Sequence, residues 1–156
     1  MNSTSGGWRM GVQTQVLIAD PDEAQAMADT ECPAVDREGF TFGGFDRVQL
    51  CTLLSILKTG APEAEFDRYL DRIKVISASS AEWPVVSVVP AELVAEVCAV
   101  AGLEGEEFEA LAAAWATTEE FEGWSPPDVR QLLRELGHLA ESASLQDKCL
   151  LLWQIL

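Results

Sequence analysis

Apolar and polar positions change rhythm several times along the chain, and each change marks an element. Val12-Gln-Thr-Gln-Val-Leu-Ile-Ala19 alternates and then becomes solidly apolar, which suits a strand. Asp20-Pro21 follows as an N-cap with proline at the first helical position, predicting a helix from about Pro21 to Asp29. Thr30 to Gly44 is a polar connection, within which Gly39-Phe-Thr-Phe42 alternates as a short edge segment. Asp46 caps a helix that ends near Thr59, with Gly60 as its C′ residue. That helix is apolar almost all round and so should be central and buried. Only Gln49, Thr52 and Ser55 interrupt it, at three-residue spacing. Pro62 opens a third helix with Phe66, Tyr69 and Leu70 inward.

Ile73 to Ser77 and Trp83 to Val89 read as strands joined by a turn over 78–82, a hairpin rich in β-branched residues. Pro90 opens a helix through Ala101, closed by Gly102. A further helix runs from about Gly105 to Thr118, with Phe108, Leu111, Ala112 and Trp115 on one face. Ser125-Pro-Pro starts a helix to about Ser142, whose core stripe is Val129, Leu132, Leu133, Leu136 and Ala140. Cys149-Leu-Leu-Leu-Trp-Gln-Ile-Leu156 is too short and apolar for an exposed helix and reads as a buried terminal strand. The expectation is an α+β fold. Residues 1–9 are expected to form a flexible leader, and residues 10–156 one domain. Its sheet is small, mixed or antiparallel, with about four strands, packed on one face by five or six helices.

This order of elements resembles the YfbM-like proteins, a bacterial domain family of unknown function. The likeness rests on Met10-Gly11 at the first strand and on Phe45-Asp46-Arg47 entering the helix that ends Leu57-Lys58-Thr59-Gly60. It extends through Val89-Pro-Ala-Glu-Leu-Val94 to the closing Lys148-Cys-Leu-Leu-Leu-Trp153. The resemblance implies a small α+β fold and a cytoplasmic bacterial setting. It supplies no catalytic residues. Where that family tends to carry Trp and His inside the Asp-Arg helix, this chain has Cys51 and Ser55.

Charge narrows the function. The 156 residues carry 26 acidic and 10 basic side chains, a formal net charge of −16. Phosphate binding needs Lys and Arg to displace counterions, so nucleic-acid binding is disfavoured, as is adhesion to anionic membranes. The charge is uneven. Residues 20–38 hold seven acids and one base (−6), and residues 104–122 hold seven acids and no base (−7), together −13 of the −16. Cys51, Cys98 and Cys149 lie in apolar patterns and read as reduced, buried thiols, while Cys32 is the exposed one. No CxxC pair occurs and His138 is the only histidine, so no metal and no cofactor are expected. The polar N-terminus and short apolar runs suggest a cytoplasmic protein.

No nucleophile elbow, P-loop, dinucleotide fingerprint, HExxH or EF-hand pattern is present, so the residues favour binding over catalysis. Three residue sets stand out. Glu106, Glu107, Glu119, Glu120 and Glu122, with the loop tryptophans Trp124 and Trp83, suit either a solvated helix start and loop with tryptophan lids folded over the core or a negative surface with aromatic anchors. Arg130, Arg134 and His138 recur every four residues as a ridge that suits an anionic ligand or simply a solvated face. Gln49, Thr52 and Ser55, with Phe40, Phe42 and Phe45, are candidates to line a pocket. The leading expectation is a non-enzymatic acidic protein that binds a basic partner, for example a bacterial immunity or inhibitor protein. A small-ligand binder or enzyme with an unrecognised pocket is the alternative, and a self-associating structural domain is the third.

Overall fold

The C-terminal strand lies at the centre of the sheet. In the computed structural model, residues 13–29, 37–78 and 84–155 are described. The chain forms β1 (Gln13–Ala19), a 3-10 turn Pro21–Glu23 leading into α1 (Ala24–Ala28), β2 (Gly39–Gly43), α2 (Arg47–Thr59) and α3 (Phe66–Leu70). It continues with β3 (Lys74–Ala78), β4 (Val85–Val89), α4 (Ala91–Val97) with a 3-10 turn Cys98–Gly102, and α5 (Gly105–Ala116). A 3-10 turn Glu119–Phe121, α6 (Pro126–Leu145) and β5 (Cys149–Ile155) complete it. The leader, Cys32, Trp83 and most of the 78–82 turn lie outside the described residues.

The strands pair antiparallel in the order β2-β1-β5-β4-β3. The five strands are close to the about four expected, and the alternating Gly39–Phe42 segment pairs with β1 at one edge as read from its pattern. The helices are not confined to one face. Val16, Ile18, Val89, Leu150 and Leu152 point to a thick layer built from α2 to α6. Their neighbours Leu17, Ala19, Val86, Leu151 and Trp153 point the other way and are covered by Ala24, Met27 and Ala28 of α1. Central strands with apolar residues on both sides of the pleat need a cover on each face. The Trp153 Nε1 donates to the Met27 carbonyl at 2.9 Å and ties α1 down.

The buried helix α2 has well-defined ends. Asp46 accepts from the Val48 and Gln49 amides at 2.9 and 3.4 Å, and Gln49 Oε1 accepts from the Asp46 amide at 2.7 Å, a complete capping box. Burial pushes the Asp46 carboxyl above its ordinary range. Gly60 ends the helix in the left-handed region at φ 83°. On α6, Ser125 accepts from the Asp128 amide at 3.4 Å, and the helix runs three residues past the expected Ser142. Gly137 lets the 98–102 turn approach closely, since a Cβ there would lie 3.0 Å from the Ala101 nitrogen.

Candidate functional site: an acidic cavity beside helix α2

The three buried polar residues of α2 face two loops, and each spends its polar atoms differently. Gln49 closes the capping box, and its Nε2 donates to the Glu120 carbonyl at 3.0 Å. Ser55 donates to the Ala61 carbonyl at 2.7 Å and accepts from the Glu65 amide at 2.9 Å, fixing the chain between α2 and α3. Thr52, only 3% exposed, has acceptors at Val48 O (3.0 Å) and Glu120 Oε1 (2.9 Å). Buried polar groups must find partners, and a polar stripe on an apolar helix can fasten irregular chain to the core.

Thr52 also borders a cavity of about 350 Å³ with Pro62, Glu63, Phe66, Thr117, Thr118, Glu119 and Glu120. It lies where α2, the start of α3 and the end of α5 meet. Trp115, fully buried, positions the α5 wall: its Nε1 donates to the Gln49 carbonyl at 2.9 Å. Of the stripe expected to line a pocket, Thr52 is the member on this cavity, and the aromatic beside it is Phe66. Phe45 is fully buried in the core, and Phe42 stacks on Trp124 at 5.4 Å between centroids. Phe40 meets Phe42 edge-on at 6.4 Å.

Trp124 is therefore not an exposed anchor. It is 8% exposed, stacked on Phe42 and edge-on to Phe121 at 4.9 Å, because the 122–125 loop folds it over the core beside Trp115. Its Nε1 and the Ser87 hydroxyl are buried without a hydrogen-bond partner among the described residues. Trp83 lies outside the described residues.

Glu106 and Glu107 are exposed in the first turn of α5, where the helix dipole favours carboxylates. Glu119 and Glu122 are also exposed, and Glu120 is half-buried. None of these five is in an ion pair among the described residues. The expected basic ridge is largely engaged within the fold. Arg130 reaches Glu109 at 3.8 Å, and the Arg134 guanidinium lies 4.3 Å from the Phe108 ring centre. His138 is exposed. The Asp20–Asp29 part of the first acidic segment runs into α1 on one face of the sheet, while Glu104–Glu122 belongs to the α5 side on the other.

Metal ligation needs donor atoms that converge. Among the described residues, the carboxylates of Asp20, Asp22 and Glu23 come within 4.8 Å of one another, and they are the only such group. Glu23 there already accepts from the Asp20 amide at 2.8 Å and pairs with Arg37. Cys51, Cys98 and Cys149 form no disulfide. Burial pushes the Cys51 thiol up to about 12, which keeps it protonated and unreactive.

These features define a mixed α+β protein with a five-stranded antiparallel sheet, helices on both faces and an acidic cavity on the thicker side. No family model, curated protein or solved structure matches the chain. No helix among the described residues is long and apolar enough to cross a membrane.

Proposed function

We propose that this protein binds a basic partner through the acidic surface around the end of α5, without catalysing a reaction on it. The observation that carries the reading is the cavity wall. Glu63, Glu119 and Glu120 border one cavity, no basic residue lines it, and none of the three is in an ion pair among the described residues. Unpaired carboxylates repel one another in the free protein, and a cationic partner relieves that repulsion. An immunity or inhibitor protein that occludes a basic, nucleic-acid-acting protein is one concrete form, in the cytoplasmic bacterial setting that kinship with the YfbM-like domains would imply. Self-association fits less well, since two copies of net charge −16 repel.

The test is binding to Lys/Arg-rich, neutral and acidic peptides at low and high salt. The expected result is selective retention of the basic peptides, weakening steeply with salt. Equal retention of acidic peptides, or no retention of basic ones at low salt, overturns the reading.

A further inference from the structure

We infer that Trp124 is a hinged lid: residues 122–125 open locally, pivoting at Gly123, and turn the buried indole out beside Glu122. The use of that open state by a basic partner rests on the acidic-binder reading; the opening itself does not. Three observations carry it. The first is a comparison of buried indoles. Trp115 and Trp153 are 0% and 4% exposed, and their Nε1 atoms donate to the Gln49 and Met27 carbonyls, both at 2.9 Å. Trp124 is 8% exposed, and its Nε1 has no hydrogen-bond partner among the described residues. A buried donor without an acceptor bears its full desolvation penalty, which water removes when the ring swings out. Closure is therefore opposed at Trp124 and supported at the other two.

The second is what holds the ring. Trp124 stacks on Phe42 with the planes 8° apart and meets Phe121 edge-on. Phe42 belongs to the edge strand β2 and is itself half-buried, so the slot lies at the rim of the sheet. Ring pairs add a modest attraction and no directional bond. The third is the chain on either side. Glu122, Gly123 and Ser125 are exposed, and Trp124 alone among residues 122–125 is buried. Gly123 sits at φ 87°, a left-handed value natural to glycine. Opening gives up the 2.9 Å bond from the Trp124 amide to the Phe121 carbonyl. Ser125 caps α6 through the Asp128 amide, so the hinge lies before the cap and the helix stays intact. The closed surface presents carboxylates. The open one adds an indole face on which a guanidinium or ammonium can stack.

The experiment is hydrogen exchange of the indole N–H groups of the full chain, followed by NMR at urea concentrations below the unfolding transition. The Trp124 N–H should exchange at least about tenfold faster than those of Trp115 and Trp153. Its rate should stay nearly flat in urea, because a local opening exposes little surface, while theirs climb. Gly123→Ala tests the hinge without altering the ring contacts. Alanine resists the left-handed value of the closed loop, so Trp124 exchange should quicken about threefold, with Trp115 and Trp153 unchanged. Equal protection and equal urea dependence of all three N–H groups overturns the lid. So does a fast Trp124 N–H that ignores Gly123→Ala, since solvent then reaches a ring that stays in place. Equal acceleration of all three by Gly123→Ala overturns it as well, because the whole fold has then been weakened. Trp124→Leu tests the use: it keeps an apolar plug, lacks the aromatic face, and should bind an Arg-rich peptide about threefold more weakly at low salt. Undiminished peptide binding by that variant overturns the use and leaves the opening. Failure of the wild type to retain basic peptides removes the acidic-binder reading and the use with it, and the exchange rates still decide the lid.

Discussion

The two acidic segments carry nearly equal charge and use it in opposite ways. In the first, two of the described carboxylates, Glu23 and Glu38, are tied into the local fold. Glu23 accepts from the Asp20 amide and pairs with Arg37, and Glu38 accepts from Gln146 at 3.2 Å. In the second, Glu109 is the only glutamate in an ion pair among the described residues, and Glu106, Glu107, Glu119 and Glu122 are left to solvent. The difference lies in the neighbours. Residues 20–38 include one arginine, whereas residues 104–122 include no base and are placed by buried aromatics. Charge density along a chain is therefore a poor guide to available charge. A carboxylate is most available to a partner where the fold supplies no cation of its own.

The largest effects come from removing the aromatic supports that place the two regions. Trp115→Ala should cost about 3–5 kcal/mol in denaturant unfolding, because it empties a fully buried ring site and removes the donor to Gln49. It should also displace the 117–120 turn and abolish binding of basic peptides. Trp153→Ala should cost a similar amount but release α1 on the opposite face, leaving the acidic surface able to bind. Loss of binding in both variants while they remain folded would break the separation between the regions.

Gly137→Ala is the next test, and its sign is the point of interest. Alanine normally favours a helix interior over glycine by roughly 1 kcal/mol. Here the new Cβ would lie 3.0 Å from both the Ala101 nitrogen and Val100 Cγ1, pressing α6 away from the turn that leads into the second acidic segment. Overpacking of that kind costs about 1–3 kcal/mol, so the variant should melt at a lower temperature than the wild type. A rise in Tm would show that the turn yields easily and that α6 does not set its position.

Much of this architecture was legible in the residues. Asp46 to Gly60 carries its own start and stop signals, and the observed helix ends where they do. Ser125-Pro-Pro marked the start of α6, and the apolar Cys149–Trp153 run proved to be a central strand. The cover of α1 was missed because alternation in Val12–Ala19 gives way to a continuous apolar run, and such a run does not say what lies on each side. At the cavity, the Gln49/Thr52/Ser55 spacing showed that something polar faces α2. It could not show that Glu120, from a turn 68 residues beyond Thr52, would be that group. Glu63, Phe66, Thr117 and Thr118 have no local pattern that joins them, because only tertiary packing brings them together. Trp124 illustrates the same gap: a tryptophan in a Gly/Ser/Pro loop suits either a lid over the core or a surface anchor, and only Phe42 and Phe121 packed around it decide for the lid.

A smaller effect separates the segments by pH. The backbone hydrogen bond from Asp20 is the main reason Glu23 ionises below its ordinary value, with the Arg37 guanidinium adding to it against a modest burial penalty. A carboxyl lowered in the folded state stabilises the fold above its unfolded pKa, and that contribution disappears as pH falls through the folded value. Glu23→Gln should therefore lower stability near neutral pH by less than about 1 kcal/mol. It should also flatten the loss of stability between the ordinary glutamate pKa and more acid conditions. Urea midpoints measured from neutral to strongly acid pH give both quantities. An unchanged acid slope would mean that the first segment is no more tied to the fold than the second.

The smallest effect has the opposite sign and bears most directly on the comparison. Glu119 and Glu122 are exposed, in no ion pair among the described residues, and close to Glu120 in a stretch that contains no base. Like charges held near one another weaken the fold, and salt screens that repulsion over a Debye length of roughly 10 Å at 0.1 M. Glu119→Gln/Glu122→Gln should leave stability unchanged or raise it by up to about 0.5 kcal/mol at low salt, with the gain fading as salt is added. The same variant should bind basic peptides less well. Stability and binding would then move in opposite directions at these residues, as expected where charge is held ready for a partner at the expense of the free fold. A loss of stability of the size seen for Glu23→Gln would instead assign these glutamates an internal role and remove the distinction between the two segments.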